Sequence, residues 1–176
     1  MIHYRKIEPH ELNRELFSHF IRLQEVTECW RLEENQWIIR EDPFVDDWTE
    51  EDYRQLLSQL RKTLAEGGLV WGAFSQGHLK GFVSVEAVFF GTEQKYLDLS
   101  NLHVSRDLRR HGIGTALFLK AKKWAAAQGA DLLYLSAHSA VETQAFYRKM
   151  GCVEAKYRHQ QHIDREPFDC QMECRL

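Results

Sequence analysis

The sequence predicts an α+β protein built on a mixed, mostly antiparallel twisted sheet flanked by helices, and three observations carry that reading. Leu69 to Ser75, His78 to Phe90 and Tyr96 to Val104 are strand patterns joined by turns at Gln76-Gly77 and Gly91-Thr92, which makes an antiparallel meander. Helical and strand patterns alternate after it. Helical periodicity also stands before it, so helices are available to cover the sheet.

From the N-terminus, Ile2 to Ile7 reads as a short strand, followed by a helical pattern in Leu12, Leu16, Phe20 and Leu23. The acidic stretch from Glu25 to Trp48 reads as the connection to a second helix. That helix has Thr49 as N-cap with Glu50, Glu51 and Asp52 in its first turn, an apolar stripe of Tyr53, Leu56, Leu57, Leu60 and Leu64, and Gly67 as its stop. In the meander, Leu97 and Leu99 fall on odd positions but Leu102 and Val104 on even ones. A strand buries both pairs on one face only if a residue is inserted, so a β-bulge is expected near Ser100 or Asn101.

A helix starting at Gly112 is expected to bury Ile113, Ala116, Leu117, Ala121 and Trp124 and to end near Gly129. Asp131 to Ser136 follows as a strand. Ser139-Ala140-Val141-Glu142 has capping-box spacing and opens a short helix that stops before Gly151. The last strand alternates Phe168, Cys170, Met172, Cys174 and Leu176 with Asp169, Gln171, Glu173 and Arg175, the mark of a half-buried strand.

With 176 residues, 44% of them hydrophobic, the chain suits one domain over residues 1–176 without staples. Cys29, Cys152, Cys170 and Cys174 form no Cys-x-x-Cys pair, and no leader or membrane-length apolar run is visible, so a cytoplasmic protein with reduced thiols is expected. His159-x-x-His162 with Asp164, and the pair Cys170 and Cys174, read as structural, so no metal is expected. Basic residues are scattered, which argues against nucleic acid. The charge is uneven: residues 25 to 52 carry eleven carboxylates against Arg31 and Arg40, a local −9 in a chain of −3.

The chemistry concentrates in Leu102-His103-Val104-Ser105-Arg106-Asp107-Leu108-Arg109-Arg110-His111-Gly112-Ile113-Gly114-Thr115, where a strand runs into a basic, glycine-rich turn that opens a helix. Unpaired backbone N–H groups and the positive end of the helix dipole favour an anion there, and a diphosphate fits best. A Walker loop needs Gly-Lys-Ser/Thr, but Thr115 follows Gly114 directly. A dinucleotide fingerprint needs a small residue where Leu117 stands.

Arg109-x-x-Gly112-x-Gly114 resembles the coenzyme A loop of the GNAT superfamily of N-acetyltransferases. Phe146-Tyr147-Arg148-Lys149-Met150-Gly151-Cys152 resembles that family's closing Phe-Tyr-x-Lys-x-Gly-Phe signature. The matches span roughly residues 69 to 176. One departure is clear: the asparagine that many members carry seven residues before the tyrosine is Ala140 here, with His138 or Ser139 as candidate substitutes.

The resemblance implies a sheet of six to seven strands with about four helices, and acetyl-CoA as co-substrate. It also implies that the bulge splays two central strands to admit the pantetheine arm. Backbone groups of Leu102, His103 and Val104 would contact that arm. Arg109, Arg110, His111, Gly112, Ile113, Gly114 and Thr115 would hold the diphosphate, and Tyr147 would support the departing sulfur. Asp98, eleven residues before Arg109, occupies the place of a family general base. Glu86 is its rival, a carboxylate in phase with Phe82, Ser84, Val88 and Phe90. Trp30, Glu33, Glu34 and Trp37 are candidate acceptor contacts, because carboxylates attract and aromatic faces hold a cationic amine. The expected partner is therefore a small-molecule amine, with neither nucleic acid nor membrane; a homodimer stays open. The alternatives are a non-catalytic acyl-CoA-binding or sensing module and an acetyltransferase of protein amines.

Overall fold

The structure is a computed structural model that describes residues 1–176. Its strands are β1 (Ile2–Lys6), β2 (Gln24–Glu33), β3 (Gln36–Asp46), β4 (Leu69–Ser75), β5 (His78–Val85), β6 (Tyr96–Val104), β7 (Leu132–Ala137), β8 (Val153–Glu154) and β9 (Cys170–Arg175). Its helices are α1 (Glu50–Ala65), α2 (Ile113–Ala127), α3 (Val141–Lys149) and α4 (Gln160–Arg165). Seven strands form one sheet in the order β1-β4-β5-β6-β7-β9-β8, and β2 and β3 form a separate hairpin. Only β6 and β7 pair in parallel; every other neighbouring pair is antiparallel. The expected fold class holds.

Two apolar cores lie on opposite faces of the sheet. Leu97, Leu99, Leu133, Leu135, Cys170 and Met172 turn to one face, against α2 and Tyr147 of α3. Val70, Leu79 and Phe82 turn to the other, against α1. Gly81 allows α2 to sit close, since a Cβ there would lie 2.8 Å from Ile113 Cγ2. Thr49 caps α1 as expected, accepting from the Asp52 N–H while Asp52 bonds back to the Thr49 N–H.

The bulge falls where the phase change requires it. Leu99 faces Val85 but Asn101 faces Ser84, so Ser100 is the extra residue. Beyond it the two central strands part: β6 pairs with β7 only at Tyr96, Leu97 and Asp98, opposite Leu132, Leu133 and Tyr134.

Several expectations are corrected. Leu12 to Leu23 is no α-helix but two 3₁₀ turns, Pro9–Glu11 and Arg14–Phe17, because the Asn13 side chain caps a new turn and breaks the periodicity. The acidic stretch is no loop but the β2–β3 hairpin, its tip turned by Glu34 and Asn35 with positive φ. β5 ends at Val85, so Glu86 lies past the strand rather than within it, and Val88 is exposed. On α2, Phe118 and Ala125 are fully buried where Ala116 and Trp124 were expected, and those two are half-buried. No capping box opens α3: Ala140 is the N-cap, with no side-chain cap, and Glu142 takes no part. β9 is buried on both faces, because Gln171 and Glu173 are paired with the hydroxyls of Tyr134 and Tyr96, while Phe168 lies outside the strand and is 62% exposed.

Candidate functional site

At the end of β6 the backbone alternates between two sides. Ser105 N–H bonds to Lys80 O towards β5, so the groups of Leu102 and Val104 face the opposite side, into the gap left by β7. Their side chains pack on the main core, and the His103 ring lies on the other face against Phe82 and Trp48. Arg109 folds back so that its Nε donates to Val104 O at 3.2 Å.

The loop then turns through two residues in the left-handed region, Arg110 (φ 65°) and Gly112 (φ 78°), and Gly112 is the N-cap of α2. The first helical bond runs from Ala116 N to Gly112 O, and none of the backbone N–H groups of residues 110 to 115 has a partner in the protein. These are consecutive donors at a helix N-terminus. A bare Gly114 adds room beside them: a Cβ there would meet only the Phe146 ring at 3.5 Å and Val104 Cγ2 at 3.7 Å. Arg109 forms no ion pair, whereas its neighbours Arg22 and Arg106 are paired with Asp46 and Glu25 of the hairpin. Burial lowers the pKa of the Arg109 guanidinium, and Arg22 and Arg106 lower it further. A polyanion relieves both the unpaired donors and the crowded cations.

The model of the acetyltransferase (GNAT) family matches residues 28–152, which take in the hairpin, the meander, the loop and α3. The chain belongs to the GNAT family of acetyltransferases. No curated sequence matches it closely enough to count as a relative. Among solved structures it is similar to nourseothricin acetyltransferase, with 19% identity and a TM-score of 0.71 over 99% of this chain and 98% of that one. It is also similar to a putative streptothricin acetyltransferase from Bacillus anthracis str. Ames in complex with acetyl coenzyme A, with 15% identity and a TM-score of 0.73 over 100% and 99%. A third is the PaiA N-acetyltransferase of Thermoplasma acidophilum in complex with coenzyme A, with 18% identity and a TM-score of 0.63 over 100% and 99%. At these identities the likeness concerns the fold. The last two of these structures hold acetyl coenzyme A and coenzyme A, and the diphosphate of such a coenzyme is the kind of group that the donors left free by this loop suit.

Around the gap, the candidate residues divide. Tyr147 lies on α3 within the core, packed edge-on against Phe118, and burial pushes its pKa far up, so its hydroxyl keeps its proton. Ala140 is fully buried against Val26 and Cys29 of the hairpin, and an asparagine has no room there. His138 lies beside it, its Nδ1 accepting from the Ala140 N–H at 3.1 Å. Ser139 is buried, and its carbonyl accepts from the Trp30 N–H, which docks the hairpin on the end of β7.

Glu86 is anchored through one oxygen: its Oε1 accepts from Gln59 Nε2, Thr63 Oγ1 and Ser100 Oγ at 2.9, 2.8 and 2.6 Å. Asp98 stands at the last paired position before the gap, its Oδ2 2.8 Å from His162 Nε2.

A cleft of about 380 Å³ opens between the hairpin and the segment before β9, lined by Glu33, Trp37, Arg31, Arg158, Phe168 and Asp169, among others. Trp37 and Glu33 are thus brought together. Trp30 is half-buried outside the cleft lining, and Glu34 sits at the hairpin tip. Glu33 is held by Arg40 and Trp37 by Glu154. Asp169, not singled out from the sequence, lines this cleft with Oδ2 bonded to Ser136 Oγ, and burial pushes its pKa up to about 6. The sequence offers His162 only as a metal candidate that it sets aside, and it gives no sign of Asp169, because their partners, Asp98 and Ser136, are 64 and 33 residues away.

Proposed function

We propose that this acetyltransferase transfers the acetyl group of acetyl-CoA to a primary amine of a small cationic molecule by direct attack within a ternary complex. The observation that carries the reading is the continuous path from the unpaired amides of residues 110 to 115, along the open edge of β6, to the gap that begins at Asp98. Coenzyme seated on that path brings its thioester between the two strands, where backbone N–H groups meet the developing oxyanion and the protonated Tyr147 hydroxyl supports the leaving sulfur. An amine reaches the carbonyl from the cleft beside Trp37 and Asp169. Single-domain organisation over residues 1–176 suits this ternary site.

The cationic acceptor is supported by the hairpin. Glu25, Glu33, Asp42 and Asp46 are in ion pairs with arginines, but Glu28, Glu34, Glu41 and Asp47 form none and leave the surface negative. The similarity to structures described as nourseothricin and streptothricin acetyltransferases accords with a small-molecule acceptor. Thiol release from acetyl-CoA across a panel of spermidine, aminoglycosides, neutral amines and lysine peptides tests this over a salt series. Cationic small amines should show the highest kcat/KM, falling as salt screens the hairpin and falling in Glu33→Gln/Glu34→Gln. Equal use of neutral amines, or no response to salt, contradicts the cationic acceptor; absence of amine-dependent thiol release contradicts N-acetyl transfer.

A further inference from the structure

We propose that His162, oriented by Asp98, is the base that takes the proton from the acceptor amine, an inference that rests on the N-acetyltransferase reading above. The pair stands at the apex of the gap. Asp98 and Tyr134 form the last register pair between β6 and β7, and Ser100 bulges immediately after it. Coenzyme running from the loop at the far end of β6 towards this apex carries its thioester to the bulge, and the imidazole lies one pleat beyond.

The ring is held from several sides. Its Nε2 faces Asp98 Oδ2 at 2.8 Å, its plane stacks on Tyr134 with centroids 5.9 Å apart, and the His159 ring lies at 4.7 Å. Tyr134 is itself fixed, donating to Gln171 Oε1 and accepting from the His159 N–H. A carboxylate only accepts, so the Asp98 contact places the hydrogen on Nε2 and leaves the Nδ1 lone pair free. Nδ1 has no partner in the protein, and the side chain is 20% exposed, within reach of a substrate. Asp98 Oδ1 is buried and unpaired, so Oδ2 is the oxygen through which this carboxylate acts. The two carboxylates are already engaged: Glu86 Oε1 accepts three bonds that tie it to α1 and the bulge, and the imidazole stands on Asp98 Oδ2.

The charged and titratable groups facing the ring are Asp98 from β6, Tyr134 from β7, Asp169 before β9, and His159 and Arg165 from its own segment. Asp98 has the largest effect and raises the imidazole pKa; burial opposes it, and the net direction is upward. Protonation is therefore stabilised by the partner that orients the ring.

The step balances as follows. The bound ammonium gives one proton to Nδ1, forming an imidazolium beside the Asp98 carboxylate. The freed lone pair attacks the thioester carbon, the C–N bond forms, and the π pair moves to oxygen. Collapse breaks the C–S bond, a second proton passes from nitrogen to sulfur, and the imidazolium later returns its proton to water. One ammonium and one acetyl-CoA yield one amide, one free thiol and one proton.

The test uses the full chain and the panel amine with the highest kcat/KM, with kcat followed by thiol release from pH 5.5 to 9.5. In His162→Gln, which retains a donor for Asp98 but is no base, kcat at neutral pH should fall about 100-fold or more, with acetyl-CoA affinity within about threefold of wild type and the ascending limb lost. In Asp98→Asn the limb should move to lower pH. The acceptor's own ionisation is common to all three proteins, so a limb that moves with the substitution belongs to the enzyme. A His162→Gln enzyme with near-wild-type kcat and the same limb overturns the proposal and leaves the N-acetyltransferase reading intact; so does parallel loss of coenzyme affinity, which would mark a structural role. Wild-type protein that releases no thiol with any amine overturns that reading, and this proposal with it.

Discussion

At the scale of single residues, two side chains make separable predictions. Tyr147 is buried and kept protonated by that burial, so in the proposed reaction its hydroxyl is the donor to charge building on sulfur. Tyr147→Phe should lower kcat by about 10- to 100-fold while the coenzyme Kd changes little, since a hydrogen bond to a charged group contributes about 1.5–3 kcal/mol and this one matters only in the transition state. Steady-state kinetics beside coenzyme titration separate the two; equal losses would make Tyr147 a binding residue. Asp169 concerns stability. Its folded pKa of about 6 lies above its usual value of 3.8, so between those pH values the folded chain holds a proton that the unfolded chain has lost. Stability therefore declines as pH rises through that window and is flat above it, by up to about 3 kcal/mol. Asp169→Asn keeps an acceptor for Ser136 and should raise the midpoint of denaturant unfolding at pH 7.5 but not at pH 4; destabilisation at both would show that the buried charge is better paired than the structure indicates.

At the scale of elements, legibility followed locality. α1 was plain because its cap, acidic first turn and apolar stripe are all within twenty residues of one another, and the bulge at Ser100 was plain because a period-two pattern records its own phase slip. The loop opening α2 was equally local, and the structure adds that its amides are unpaired. The β2–β3 hairpin is hard to read for a physical reason: its buried apolar residues are few, Val26 and Cys29 with Phe44 against Ala140, and elsewhere charges are mixed with exposed Leu32, Ile39 and Val45, which blurs strand alternation. The first helical pattern failed because 3₁₀ turns can bury Leu12, Phe17 and Phe20 without continuous helix. Ser139 and Glu142 lost their cap because Ser139 O is used to dock the hairpin and the His138 ring takes the Ala140 N–H. In the site, loop and tyrosine were visible as contiguous motifs. His162 with Asp98 and Asp169 with Ser136 were not, since only tertiary contact creates them.

At the scale of the whole molecule, the hairpin brings carboxylates against the arginines near the end of β6: Asp46 pairs with Arg22 and Glu25 with Arg106, which leaves Arg109 without an ion pair at the loop and Glu28, Glu34 and Glu41 without one on the hairpin. The free guanidinium favours a polyanion at the loop, and the unpaired carboxylates favour a cationic amine beside the hairpin. Everything in the account depends on the coenzyme seating on the amides of residues 110 to 115. Calorimetric titration of coenzyme A into wild type, Gly114→Ala and Gly114→Asp tests that seat, and thermal unfolding confirms that each variant is folded. A methyl at Gly114 meets only ordinary contacts, so Gly114→Ala should bind within about tenfold of wild type, whereas Gly114→Asp puts a negative charge among the donors and should weaken binding by about 100-fold or more. A folded Gly114→Asp protein that binds coenzyme A as tightly as wild type would contradict the account.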